Sequence, residues 1–172
     1  TQAVLEDVCS LSERVALERA IGEWAYGGIH HVGSTSVPGL EAKPIIDILV
    51  GVSDLATARA CFGPLAELDY LYAPYLPEEM HWFCKPDPAR RTHHLHLVPL
   101  GSQRYRDELA FRDRLRADPQ IASRYAALKR ELAAVDAAKV KKIIHQPREM
   151  VDLAMDRLPR LDGVGSRRAD VV

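Results

Sequence analysis

The sequence predicts an α+β fold, a sheet with flanking helices and a helical C-terminal part, on three observations. Short runs rich in β-branched and aromatic residues (Ile29–Val32, Ile45–Val50, Tyr70–Tyr72, Met80–Lys85 and His93–Val98) are separated by turn-forming residues, as strands are. Apolar residues at helical spacing mark the segment Val4–Tyr26 before them and the chain from Gly101 onward. The 172 residues, 47% apolar and 27% charged, suit one compact domain with a core of its own.

From Val4 to Tyr26, Leu5, Val8, Leu11, Val15, Leu17 and Ile21 recur among Glu, Arg and Ser, predicting one or two amphipathic helices that Gly27-Gly28 end. Ile29–Val32 predicts a strand on which His30 and His31 point to opposite faces. Ser53-Asp54 reads as a helix cap, and the Ala-rich stretch Leu55 to Leu68 as a helix broken near Gly63-Pro64. Tyr70–Tyr72 and Met80–Lys85 read as neighbouring antiparallel strands, where Tyr72, Tyr75 and Trp82 are either packing residues or a platform for a base. Past Gly101, Ser102 is placed to cap a helix from Gln103 to Ala117. Leu109, Phe111 and Leu115 form its apolar side, and Arg104, Arg106, Arg112, Arg114 and Arg116 crowd the rest, as a solvated face would. Asp118-Pro119 opens another helix through Ile121, Tyr125, Leu128 and Leu132, proline suiting a first turn. Lys139 to Leu158 begins basic and turns amphipathic. Residues 1–160 are read as one domain, and 161–172, rich in Gly, Arg and Asp, as a loosely ordered tail.

The chemistry concentrates in His31 to Val50. Gly33 and Gly39 permit tight turns, and Ser34, Thr35 and Ser36 offer hydroxyls and adjacent N–H groups of the kind that hold phosphate oxygens. Downstream, Asp47 interrupts the apolar run Ile45-Ile46-Asp47-Ile48-Leu49-Val50, and a carboxylate inside a buried strand must be paired or bind a metal. Taken singly, the turn is equally a loop with a helix cap and Asp47 a satisfied buried acid. Side by side they predict an anion-binding turn feeding a metal-binding strand.

The second cluster is Arg91-Thr92-His93-His94-Leu95-His96-Leu97-Val98-Pro99. Alternation puts Leu95 and Leu97 on one face with His93, and His94, His96 and Val98 on the other. Two histidines two apart on a strand form a compact metal-binding or phosphate-contacting pair, and neutral imidazole suits zinc or iron better than magnesium.

Gly33-Ser34-Thr35-Ser36-Val37-Pro38-Gly39-Leu40 followed by Ala42-Lys43-Pro44-Ile45-Ile46-Asp47-Ile48 resembles the signature of the GrpB family, and His93-His94-Leu95-His96 and Phe111-Arg112-Asp113 extend the resemblance. That family is similar to the nucleotidyltransferase superfamily, in which a Gly-Ser turn holds the triphosphate and an Asp-x-Asp strand holds magnesium. The resemblance implies a nucleotidyltransferase-like mixed or antiparallel sheet, with Gly33 and Ser34 for phosphate and Asp47 for metal. It also implies that His96, or His94, takes the place of the third acid. Leu49 stands where the superfamily has its second acid.

The formal net charge of −1 argues against general nucleic-acid or membrane binding, so any phosphate site must be local. With no run of membrane-spanning length and no signal-like segment, the chain reads as cytoplasmic. The three cysteines, Cys9, Cys61 and Cys84, are widely spaced and read as reduced, buried thiols. The leading expectation is a nucleotide-dependent, nucleotidyltransferase-like enzyme acting on a small molecule with a nucleoside triphosphate, ATP first, and magnesium. Gly33, Ser34, Thr35, Ser36, Lys43, Arg112 and Lys129 would bind phosphate, Asp47 with His96 would bind the ion, and Asp47, His94 and His96 would act catalytically. Two alternatives stand beside it: a non-catalytic nucleotide or small-molecule binding module, and a mononuclear zinc or iron site on Asp47, His94 and His96.

Overall fold

The structure is a computed structural model that describes residues 2–135. The stretch expected from Lys139 to Leu158 and the tail from 161 to 172 lie outside the described residues. Helix α1 (Gln2–Ile21) leads through a 3-10 turn, Gly22–Trp24, into β1 (Ile29–Val32). A second 3-10 turn, Ser34–Ser36, precedes β2 (Ile46–Val52), and a third, Thr57–Cys61, runs into α2 (Phe62–Glu67). Strands β3 (Leu71–Tyr72), β4 (His81–Lys85) and β5 (His93–Pro99) follow, then α3 (Gln103–Ala117) and α4 (Pro119–Val135). The five strands form one mixed sheet in the order β1-β2-β5-β4-β3, with β2 and β5 parallel and the other pairs antiparallel.

Period-two alternation gives this sheet two different faces. On one, Ile29, Ile48, Val50, Leu95, Leu97 and Phe83 pack with Leu17 and Ile21 of α1 and Leu65 of α2. Each such side chain, fully buried, contributes about 2 kcal/mol, so this face holds the fold together. On the other, Val32, Leu49, Met80, Trp82, Cys84 and Val98 pack with Tyr105 of α3. Helix α4 closes back through a small cluster of Val37, Leu115 and Tyr125.

The expected cap at Ser102 holds, and Asp118 caps the helix that Asp118-Pro119 was expected to open. Ser102 Oγ accepts from the Tyr105 amide at 3.2 Å, and Asp118 Oδ1 accepts from the Gln120 amide at 2.8 Å. The helix expected from Leu55 to Leu68 differs in detail. Asp54 caps the 3-10 turn through the Thr57 amide at 2.7 Å, and the change of helix type falls at Cys61, not at Gly63-Pro64. Pro64 lies in the first turn of α2, where its missing N–H has no partner to lose. Tyr72 is packing: its ring lies 4.7 Å from Phe62 and 5.4 Å from Phe83. Trp82 is buried beside His94, with ring centroids 4.9 Å apart, and does not form an open base platform.

Candidate functional site

The register places the site on the face under α3. Across the sheet, Val32 pairs with Asp47, Asp47 with His94, and His94 with Cys84. Asp47 and His94 thus stand side by side, and His94 Nδ1 faces Asp47 Oδ1 at 2.9 Å. His94 is buried, whereas the Asp47 side chain keeps 28% exposure. Asp47 is therefore the accessible group, and His94 orients it from behind, an arrangement often seen beneath a working carboxylate.

The next row holds Leu49, the departure noted in the sequence. Leu49, 0% exposed, faces His96 of β5 and belongs to the apolar cluster with Val32, Trp82 and Tyr105. A carboxylate there would enter a dry site.

Above Asp47 runs the Gly33–Ser36 turn. Gly33 adopts φ +71°, a left-handed conformation that side chains resist, and a Cβ there would meet Asp47 Oδ2 and lie 2.9 Å from its Cβ. Only glycine lets the turn lie directly on the carboxylate. Of the three hydroxyls expected to hold phosphate, two brace the turn itself. Ser36 Oγ donates to the Gly33 carbonyl at 2.7 Å, and Thr35 Oγ1 donates to the Ile45 carbonyl at 3.2 Å while His31 Nε2 sits 2.9 Å from it. Ser34 faces outward to α4.

From α4, Lys129 Nζ donates to Ser34 Oγ at 3.0 Å and to the Glu41 carbonyl at 3.3 Å, and lies 5.5 Å from the centre of the Tyr125 ring. Burial lowers the Lys129 ammonium from its ordinary value, against the pull of Asp47 and Glu41. Burial likewise raises the Tyr125 hydroxyl, which bonds Ser34. From α3, Arg112 donates to the His31 carbonyl at 3.3 Å and Arg116 to the Ser36 carbonyl at 2.8 Å. Gly33, Ser34, Asp47, Arg112 and Lys129 are thus brought together, while Lys43 is exposed on the loop before β2.

The arginines of α3 are not one solvated face. The Arg104 side chain, 10% exposed, reaches Glu108 at 3.3 Å and Glu79 at 2.9 Å, and Glu108, 5% exposed, faces His96 Nδ1 at 3.2 Å. Burial alone would lower the His96 imidazole, yet the Glu108 carboxylate, helped by Asp47, raises it overall. Glu108 is the functional-site residue that the sequence reading missed. Its signal was the i, i+4 series Arg104, Glu108, Arg112, Arg116, which sets a single acid among three arginines on the side of α3 that carries Tyr105.

The donor set does not suit the mononuclear zinc or iron alternative, which needs three protein ligands converging on one ion. Among the described residues no group of three or more His, Cys, Asp or Glu side chains is arranged to hold a metal. Asp47 faces His94 and His96 faces Glu108, so Asp47 and His96, expected to share an ion, are engaged by different partners. No described helix is long and apolar enough to cross a membrane.

Comparison with known proteins supplies the context. The family model for GrpB protein matches residues 9–157. The UPF0157 protein YqkA of Bacillus subtilis is 33% identical over 132 residues, 77% of this chain and 38% of its own length. A UPF0157 protein of Pseudomonas aeruginosa is 43% identical over 111 residues, 62% of this chain and 45% of its own. The glutamate-rich protein GrpB of Alkalihalophilus pseudofirmus is 36% identical over 126 residues, 70% of this chain and 72% of its own. The chain therefore spans less than half the length of the first two of these relatives. Among solved structures, the conserved protein GrpB from Enterococcus faecalis superposes with a TM-score of 0.73 at 30% identity, covering 88% of this chain and 93% of that one.

Proposed function

Taking as premise that the chain belongs to the GrpB family, we propose that it binds a nucleoside triphosphate with magnesium at the Gly33–Ser36 turn and transfers from it to a small molecule, in the manner of a nucleotidyltransferase. The observation that carries the reading is the stack of three groups at one point. Lys129 sits on Ser34, Ser34 lies in the glycine-dependent turn, and the turn lies on the one accessible strand carboxylate, Asp47. In this reading the Ser34 and Thr35 amides and Lys129 hold phosphate oxygens, while the Ser36 amide closes the turn on the Gly33 carbonyl. Arg112 supplies a further cation from α3. Asp47 holds the ion together with those phosphates, and a magnesium there would neutralise charge developing on the transferring group. His94 keeps the Asp47 carboxylate oriented and is a positioning residue.

Leu49 favours a second reading, a binding module of the same fold without turnover. The second acid of a two-ion mechanism is replaced by a fully buried leucine, so only one ion can be held by the strand. Both readings require the nucleotide site, and they part on turnover alone.

The test is a thermal-shift series with ATP, GTP and CTP, with and without magnesium, on wild type, Asp47→Ala and Lys129→Met. A ligand that binds the native state raises its stability by mass action, about 2.7 kcal/mol at a hundredfold excess over Kd. A magnesium-dependent shift that is lost in Asp47→Ala supports the reading. A shift without release of pyrophosphate or phosphate selects the binding module, and no shift with any nucleotide sinks both.

A further inference from the structure

Arg91 is one of several arginines that carry no carboxylate partner among the described residues, Arg106 of α3 being another. Arg90, Arg104, Arg112 and Arg130 each pair with a carboxylate, to Asp87, Glu79 and Glu108, Asp113, and Glu41. Arg91 forms no ion pair among the described residues, although it is half-buried in the loop between β4 and β5. It is nonetheless fixed in place. Its Nε donates to the Pro88 carbonyl at 3.0 Å, and its guanidinium lies 5.4 Å over the Trp82 ring. Burial raises the Cys84 thiol, with Arg91 acting to lower it and Asp87 to raise it further.

Trp82 and Cys84 are on the same sheet face as Asp47, and Trp82 touches His94, the partner of Asp47. The guanidinium is therefore stacked on a residue of β4, which stands two strands from β2 in the sheet, on the side away from β1 and the turn that follows it. A planar cation held by its Nε and one ring face keeps its two terminal nitrogens for a bidentate oxyanion. Unlike Lys129, it bonds no part of the turn.

We propose that Arg91 is a second oxyanion-binding residue of this site and receives a phosphate or carboxylate of the small-molecule ligand, opposite the phosphate turn. The assignment rests on the nucleotide reading for what fills the turn, and on geometry alone for the Arg91 end.

The experiment titrates inorganic phosphate and, separately, succinate into isotope-labelled protein while the Trp82 indole N–H signal and the Gly33–Ser36 amide signals are followed. A saturable movement of the Trp82 signal is expected. In Arg91→Gln it should require about tenfold more anion, with Arg91→Lys in between because the charge stays and the bidentate fork is lost. The anion that saturates at lower concentration identifies the ligand group as phosphoryl or carboxyl. Movement at Gly33–Ser36 without movement at Trp82 overturns the Arg91 assignment and leaves the proposed function standing. Movement at Trp82 without the turn upholds the Arg91 assignment, and the nucleotide thermal-shift series decides the proposed function separately. An unchanged Trp82 response in Arg91→Gln also overturns the assignment.

Discussion

On the sheet face under α1 and α2, Ile48, Leu95 and Phe83 stand in one row across three strands; on the face under α3, the adjoining row is Val32, Asp47, His94 and Cys84. The first row is closed by carbon from Leu17, Ile21 and Leu65. The second carries paired charge, His94 on Asp47, and the row beside it continues the pairing with Glu108 on His96 and Arg104 on Glu108. The two faces share every strand, so neither backbone nor strand propensity separates them. What separates them is which residues α3 and α4 bring from far along the chain.

The comparison breaks most directly at Leu49, a fully buried apolar residue on the face that carries the charges. Leu49→Asp puts a carboxylate in a dry position, and it should cost about 4 kcal/mol in urea unfolding with no gain in nucleotide binding. Tolerance within about 1 kcal/mol would show that this face is wetter than its packing indicates. Leu95→Ala on the other face serves as reference, at about 3 kcal/mol for the lost burial and the cavity.

Gly33→Ala should cost about 3 kcal/mol, from the left-handed backbone and the clash with Asp47 together. It should also displace the carboxylate, so nucleotide-induced shifts should vanish at temperatures where the variant is folded. Glu108→Gln should cost about 2 kcal/mol, because it leaves Arg104 and His96 without a buried counter-charge. The pH dependence sharpens this. His96 is raised in the folded protein above its ordinary 6.5, so its pairing stabilises fully below that pH and fades as the pH climbs through the raised value. The stability gap between wild type and Glu108→Gln should accordingly be wider at about pH 5.5 than at about pH 9, as read by denaturant midpoints. Lys129→Met should change stability least, by about 1 kcal/mol or less, while weakening nucleotide binding about tenfold or more, read by calorimetric titration.

The same division explains what was legible in the sequence. The apolar face follows from periodicity in Ile46–Val52 and His93–Pro99, and the caps at Ser102 and Asp118 follow from local chemistry. Asp47 stood out because it broke a local pattern. Glu108 did not, since a glutamate on a charged helix breaks no local rule, and its partner His96 is twelve residues away on another element. Thr35 and Ser36 read as phosphate ligands because hydroxyl identity is visible in sequence; that their hydroxyls close the turn on Gly33 and Ile45 depends on backbone geometry. Likewise, Lys129 reaches Ser34 across 95 positions of sequence, a pairing that no window of residues contains.

The central claim, that Asp47 and the Gly33–Ser36 turn hold a nucleotide and its cation together, is tested most directly with manganese in place of magnesium. Paramagnetic broadening of backbone amide signals would be recorded with and without ATP. The account predicts that ATP makes broadening selective for Gly33–Ser36, Asp47 and Lys129, and that Asp47→Asn abolishes it. Broadening that ignores ATP, centres elsewhere on the sheet, or persists in Asp47→Asn would contradict it.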